Sequence, residues 1–231
     1  MSFTLKTKER GFTLIEVLVV IGILAILLAI TLVAINPNKH FQDARNSQRS
    51  SNVSAVLDAI YAYEASNNGS QPPAVTHVTS TPTALARKAA VTATGTSSAT
   101  PSLTYTVPSG NTVTAGDVVT VTGCDQTGDN GTFAVTSGTG TTIVVNDTNG
   151  AATSASGCSV VAGVNLCTDL APTYIADLPM DPSATAPTGA ATPCNASTTA
   201  YDTGYTIALS NGRFTITAPS AEGGATISVT R

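Results

Sequence analysis

Residues 12–35 read FTLIEVLVVIGILAILLAITLVAI, and their only charged side chain is Glu16. At about 1.5 Å of rise per residue this stretch would make a helix of roughly 36 Å, enough to cross a hydrocarbon core of ~30 Å. The flank before it, MSFTLKTKERG, carries Lys6, Lys8 and Arg10. The positive-inside rule keeps such an end cytoplasmic and sends everything after Ile35 across the membrane. A secretory signal would show a shorter apolar region followed by a small-residue cleavage site. Here the run is too long, no A-x-A site follows, and a carboxylate sits near its start. A plain anchor explains length and orientation but not Glu16. An acid at the centre of a membrane helix costs about 2.5–3.5 kcal/mol, and even near the start it calls for a partner.

The composition fits that frame. With 231 residues the chain has room for one or two domains and a sizeable core. Charged residues make up only 10% and aromatics 5%, with no Trp, which is unusual for an enzyme. Abundant Thr, Ser, Ala and Gly point instead to strands and polar loops. The balance of 14 acidic to 10 basic residues argues against a nucleic-acid partner, whose phosphates call for Lys and Arg. Cys124, Cys158, Cys167 and Cys194 all lie in the second half. An even count behind a membrane segment reads as disulfides in an oxidising compartment, with three connectivities open. Zinc is the competing reading, but there is no C-x-x-C pair and neither His40 nor His77 falls near the cysteines.

The residues Gly11-Phe12-Thr13-Leu14-Ile15-Glu16 place Gly before Phe and Glu four positions beyond the Phe. With the short basic leader in front and the apolar helix directly behind, this resembles the processing motif of type IV prepilins and pseudopilins. The resemblance implies removal of residues 1–11 by a prepilin peptidase, which cuts between Gly11 and Phe12, and N-methylation of Phe12. It also implies assembly through Phe12 and Glu16, the carboxylate of one subunit meeting the Phe12 amine of its neighbour. Neither charge is tolerable alone in an apolar filament core. Glu16 can also cap its own helix, where the macrodipole favours an acid. Removing the leader leaves 13 acidic and 7 basic side chains. One departure stands out: many family members carry a Pro nearer the middle of the apolar run, whereas the first here is Pro37. A helix kink is expected there, because Pro lacks an N–H to donate.

Beyond the kink, 41–67 reads as an amphipathic helix. Val53, Val56, Leu57 and Ile60 form its apolar face, Arg45, Arg49, Asp58 and Glu64 are polar positions, and Arg45 and Arg49 read as a solvated face rather than as partners of acids on neighbouring subunits. Asn67-Asn68-Gly69 is the stop, and Pro72-Pro73 forbids continuation. Residues 70–102, rich in Thr, Ala, Ser and Pro, read as a linker with a short helix over 83–90. From 103 the pattern turns to β. Runs at 103–107, 118–122, 132–136 and 141–145 alternate or are β-branched, and Gly-rich turns separate them. The stretch 103–160, with G-D-V-V-T-V at 116–121 and N-G-T-F-A-V at 130–135, resembles small β modules of surface and phage-tail proteins. Cys124 and Cys158 lie at its ends.

Residues 161–231 return to a pilin-like style. The pair Cys167 and Cys194 resembles the C-terminal disulfide loop of many pilins. If joined, it closes a loop worth on the order of 3–4 kcal/mol in the chain-entropy model. Runs at 204–210 and 213–217 flank Asn211-Gly212 and read as a hairpin, and 225–231 as a last strand. The fold class is therefore α+β: a long N-terminal helix over 12–69, transmembrane or filament-core at 12–35, packed on a C-terminal antiparallel sheet, with an inserted all-β module.

No phosphate-binding loop, H-E-x-x-H or G-x-S-x-G is present, so no catalyst, cofactor or metal is expected. Asp177, Asp181 and Asp202 read as turn formers rather than calcium ligands. The expected function is that of a pilin subunit polymerising for adhesion, motility or DNA uptake. Its partners would be identical or related subunits, the prepilin peptidase and methylase, and a membrane assembly platform. The precursor would be a single-pass inner-membrane protein and the assembled form an extracellular filament. The alternatives are a pseudopilin of a type II-like secretion system and a membrane-anchored β module that binds a ligand.

Overall fold

The structure, a computed structural model, describes residues 11–88, 90–97, 102–147, 156–184, 192–194 and 200–231. The leader residues before Gly11 lie outside the described residues. The chain divides into two compact units, Met1–Ala44 and Arg45–Arg231.

The first unit contains helix α1, Leu14–Ile35, and the opening residues of helix α2, Pro37–Ser66. The helix break falls at Asn36, which adopts a left-handed conformation (φ 42°), and Pro37 is the first residue of α2. That division suits the chemistry. Asn tolerates φ > 0 better than β-branched residues do, and Pro is well placed in a first helical turn, where its missing N–H is not needed.

In the second unit, α2 packs on a four-stranded antiparallel sheet. Its strands are β1 (Thr83–Arg87), β8 (Tyr201–Ser210), β9 (Arg213–Ala218) and β10 (Ile227–Thr230), in the order β1-β8-β9-β10. Alternation decides the inner face. Tyr201, Tyr205 and Ile207 of β8 and Phe214 and Ile216 of β9 are buried against Val53, Val56, Leu57 and Ile60 of α2. The β8–β9 hairpin closes through Asn211 (φ 52°) and Gly212 (φ 71°), the two positive-φ residues that a two-residue hairpin turn demands. Helix α2 ends as its sequence directs, with the Gly69 N–H reaching back to the Glu64 carbonyl at 2.8 Å. Beyond it, Tyr174 meets Tyr63 edge-on, ring centroids 5.4 Å apart, and hydrogen-bonds Ser66.

The second element is a closed six-stranded antiparallel barrel in the order β2-β3-β6-β5-β4-β7. Its strands are β2 (Val91–Ser97), β3 (Ser102–Thr106), β4 (Val118–Thr122), β5 (Gly131–Gly138), β6 (Thr142–Asn146) and β7 (Cys158–Ala162). Inward residues such as Leu103, Tyr105, Val119, Val121, Ile143, Val145 and Val160 fill it. Closure removes the exposed edges that an open sheet would present.

Two expectations need correction. Residues 70–102 are not a plain linker: they hold β1 and β2, one belonging to each sheet. The stretch 83–90 begins as strand β1 rather than a short helix. Leu85 and Ala86 of β1 are both buried, Leu85 in the α2–sheet core, and the register against β8 shifts between Ala84 and Ala86. One edge pairs with β8, and the other bonds the segment leaving β7. There Ala86 N–H meets the Val164 carbonyl at 3.1 Å, and Val164 N–H meets the Ala84 carbonyl at 3.0 Å. Gly163 in the same segment donates to the Val118 carbonyl of the barrel at 2.9 Å. Its φ is 102°, and a Cβ there would stand 2.4 Å from the Ala86 carbonyl oxygen. Glycine is thus what lets one strand-like segment stitch barrel and sheet together. Strand β4 serves both cores in the same region, with Val118 facing the α2–sheet core and Val119 the barrel interior.

Candidate processing and assembly site

Thr13 is the N-cap of α1, and the first turn closes as a capping box. The Glu16 N–H donates to the Thr13 hydroxyl at 3.3 Å, and the Thr13 N–H donates to a Glu16 carboxylate oxygen at 3.4 Å. Each residue satisfies a backbone donor that would otherwise have none. Gly11 and Phe12 precede the cap, both exposed, with Phe12 at 83%. The peptide just before α1 is thus accessible, and a capped helix follows it at once.

Helix α1 is apolar on every side, and its large side chains from Leu14 to Leu32 are all at least half exposed. A one-sided helix would find its cover within its own domain, whereas one apolar all round needs lipid or other apolar helices. By length and composition α1 is long and apolar enough to cross a membrane.

Residues 6–32 match the family model for the prokaryotic N-terminal methylation motif. The chain carries the prepilin-type signal of type IV pilins and pseudopilins. No curated protein and no solved structure matches the chain. The prepilin-type match spans the Gly11–Phe12 junction, the capped first turn and most of α1. An apolar helix behind such a signal fits a membrane-anchored precursor.

Helix α2 carries a polar clamp that sequence reasoning missed. Arg45 and Arg49, read as solvated, are instead tied to acids far along the chain. Arg49 is fully buried, and its guanidinium spends all five N–H groups. Nε and Nη2 form a fork on Asp181 at 2.7 and 3.0 Å. Nη1 reaches Asn46 Oδ1 at 3.0 Å and Glu222 at 3.1 Å, and Nη2 also reaches the Ser183 hydroxyl at 3.1 Å. Arg45 makes a second fork on Glu222 at 2.7 and 2.8 Å. Asn46 ties down the backbone of Glu222 through both its N–H and its carbonyl.

Burial pushes the Asp181 carboxyl up, but the Arg49 fork and the Ser183 bonds outweigh it and hold the group below the usual carboxylate range. Glu222 is lowered first by its bonds to Arg45 and then by Arg49. The correction has a physical basis. Helix periodicity marks Arg45 and Arg49 as polar, but only the fold brings 181 and 222 beside them. Elsewhere on α2, Arg231 pairs with Asp58, and Tyr61 donates to the Arg231 carbonyl.

The remaining sequence-marked residues sit as follows. Cys124 is bonded to Cys158 within the barrel, and Cys167 to Cys194 beside the sheet core. Asp177 accepts the Cys194 N–H at 3.0 Å, Asp181 the Ser183 N–H at 2.8 Å, and Asp202 the Gly204 N–H at 2.9 Å. Asp181 and Asp202 each hold backbone two residues on, Asp177 reaches across 17 residues to the disulfide-bonded Cys194, and Asp181 serves the clamp as well. Among the described residues, no three His, Cys, Asp or Glu side chains gather as a metal site would require.

Proposed function

We propose that this chain is a type IV pilin subunit. Its leader is removed between Gly11 and Phe12, its Phe12 is N-methylated, and its α1 helices pack together in a filament core. The observation that carries the reading is the prepilin-type signal joined to a helix that is apolar all round and carries one carboxylate at its first turn. In the precursor, lipid covers α1, and in the filament, neighbouring helices do. Glu16 then turns from capping its own Thr13 to meeting the Phe12 amine of an adjacent subunit. That exchange favours one axial register, because a charge left unpaired in the core is costly. Residues 45–231 form the displayed part, and the barrel and two disulfides suit exposure outside the cell.

The deciding experiment is intact-mass and N-terminal peptide mapping of protein sheared from native cells. A mature chain beginning at methylated Phe12 in sheared fibres is the expected result. Processed protein confined to the membrane would favour a secretion pseudopilin, and an intact Met1 terminus would refute the reading.

A further inference from the structure

The outer wall of the barrel and the segment carrying the short helix α3 (Cys167–Leu170) enclose a cleft of 310 Å³. None of its lining residues belongs to the arginine clamp. Thr120 of β4 and Thr132 of β5 line one side, Asn165 and Asp169 the other, with Arg87 and the exposed ring of Pro73 completing the lining. We propose that this cleft binds a small saccharide of one or two rings.

The polar groups are set before any ligand arrives. Asn165 Oδ1 accepts the Cys167 N–H at 3.1 Å and the Tyr201 hydroxyl at 2.7 Å. A backbone N–H can only meet the amide oxygen, so the orientation is fixed and Nδ2 is the end left to donate. Asp169 Oδ2 accepts the Ala74 N–H at 3.0 Å, and Oδ1 accepts the Thr168 hydroxyl at 3.3 Å. Each oxygen keeps a further lone pair for a ligand hydroxyl. The Thr120 and Thr132 hydroxyls lie 3.2 Å apart, so one proton bridges them and the other is left to donate.

Fixed donors and acceptors side by side, set against patches of apolar wall, match a sugar ring. Its adjacent hydroxyls both donate and accept, and its C–H faces need no hydrogen bonds. A phosphate ligand is a poorer match, because Asp169 repels it and Arg87 is the single cation lining the cleft among the described residues. The volume is at the low end of the ~300–1,000 Å³ usual for small-ligand sites, which sets the limit of one or two rings. The position also suits binding, since such sites favour the seam between two folded parts.

The test uses the full chain in a detergent without a sugar headgroup. Glucose, galactose, N-acetylglucosamine and lactose serve as probes, followed by saturation-transfer NMR and calorimetry. The comparison variants are Thr120→Val with Thr132→Val, which keeps the shape and removes the hydroxyls, and Asp169→Asn, which keeps an acceptor for Ala74. At least one sugar is expected to bind, and each variant should weaken it about tenfold or more while the melting curve is unchanged. Lack of binding by every probe would overturn the proposal. So would unchanged affinity in both variants. The readout is taken on dispersed protein, so the result is independent of whether the chain polymerises.

Discussion

Replacing Arg49 with Met removes the guanidinium while keeping the aliphatic stem, and it leaves Asp181 buried without its counter-charge. The Asp181 side chain is 1% exposed, so water cannot take over the lost fork. Breaking a buried pair by deleting one partner costs about 3–5 kcal/mol, because the surviving charge stays desolvated. For a domain of this size each kcal/mol lowers the melting point by about 2–4 °C, so the full chain in micelles should melt roughly 6–20 °C lower.

The effect should also depend on pH. In the parent, Asp181 has a folded pKa below its unfolded value, so its stabilisation is present above the unfolded pKa of ~3.9 and is lost as pH falls through the folded one. In Arg49→Met the fork is gone, and burial raises the Asp181 pKa against the Ser183 bonds alone, so acid costs the variant less stability than it costs the parent. Both trends narrow the gap between variant and parent below about pH 4. Urea titrations at pH 7 and at pH 3 measure it. A cost under about 1 kcal/mol at pH 7, or a cost that does not shrink in acid, would refute the reasoning. Combining Arg49→Met with Asp181→Asn should cost less than the two single changes added together, because the orphaned charge is gone.

Glu16→Ala should leave a processed, membrane-held subunit that enters filaments poorly, and a normal yield of sheared fibres would remove the carboxylate from the assembly mechanism. Gly163→Ala combines a positive φ with a Cβ 2.4 Å from the Ala86 carbonyl oxygen, so it should destabilise the chain by about 1–3 kcal/mol or more. Near-parent stability in denaturant titration would mean the seam adjusts easily. The two disulfides span sequence separations of 34 and 27 residues, and removing either by paired Cys→Ser changes should cost about 3–4 kcal/mol in the chain-entropy model. Mass spectrometry without reduction should find no free thiol, and four free thiols would overturn the pairing.

Some of this protein follows from local sequence alone. The Gly11–Phe12 signal, the Thr13–Glu16 cap and the apolar run of α1 are contiguous, so their reading needs no knowledge of the fold. The same holds for the apolar face of α2, the Asn67–Gly69 stop, the Asn211–Gly212 turn and the alternating strands β3 to β6. In each, the periodicity of side chains or the φ preference of one residue carries the information. Tertiary structure decided the rest. Strands β1 and β2 hide in a Thr- and Ala-rich stretch whose weak pattern is overridden by the partners it finds, β8 on one side and β3 and β7 on the other. Arg49 meets Asp181 across 132 residues, and helix periodicity cannot tell a solvated arginine from one sealed in a clamp. The cysteines permit three connectivities, and the choice falls to whichever chain ends the barrel and sheet bring together. Short-range pattern specifies an element and its faces, whereas a partner distant in sequence is fixed only when packing has closed the loop between them.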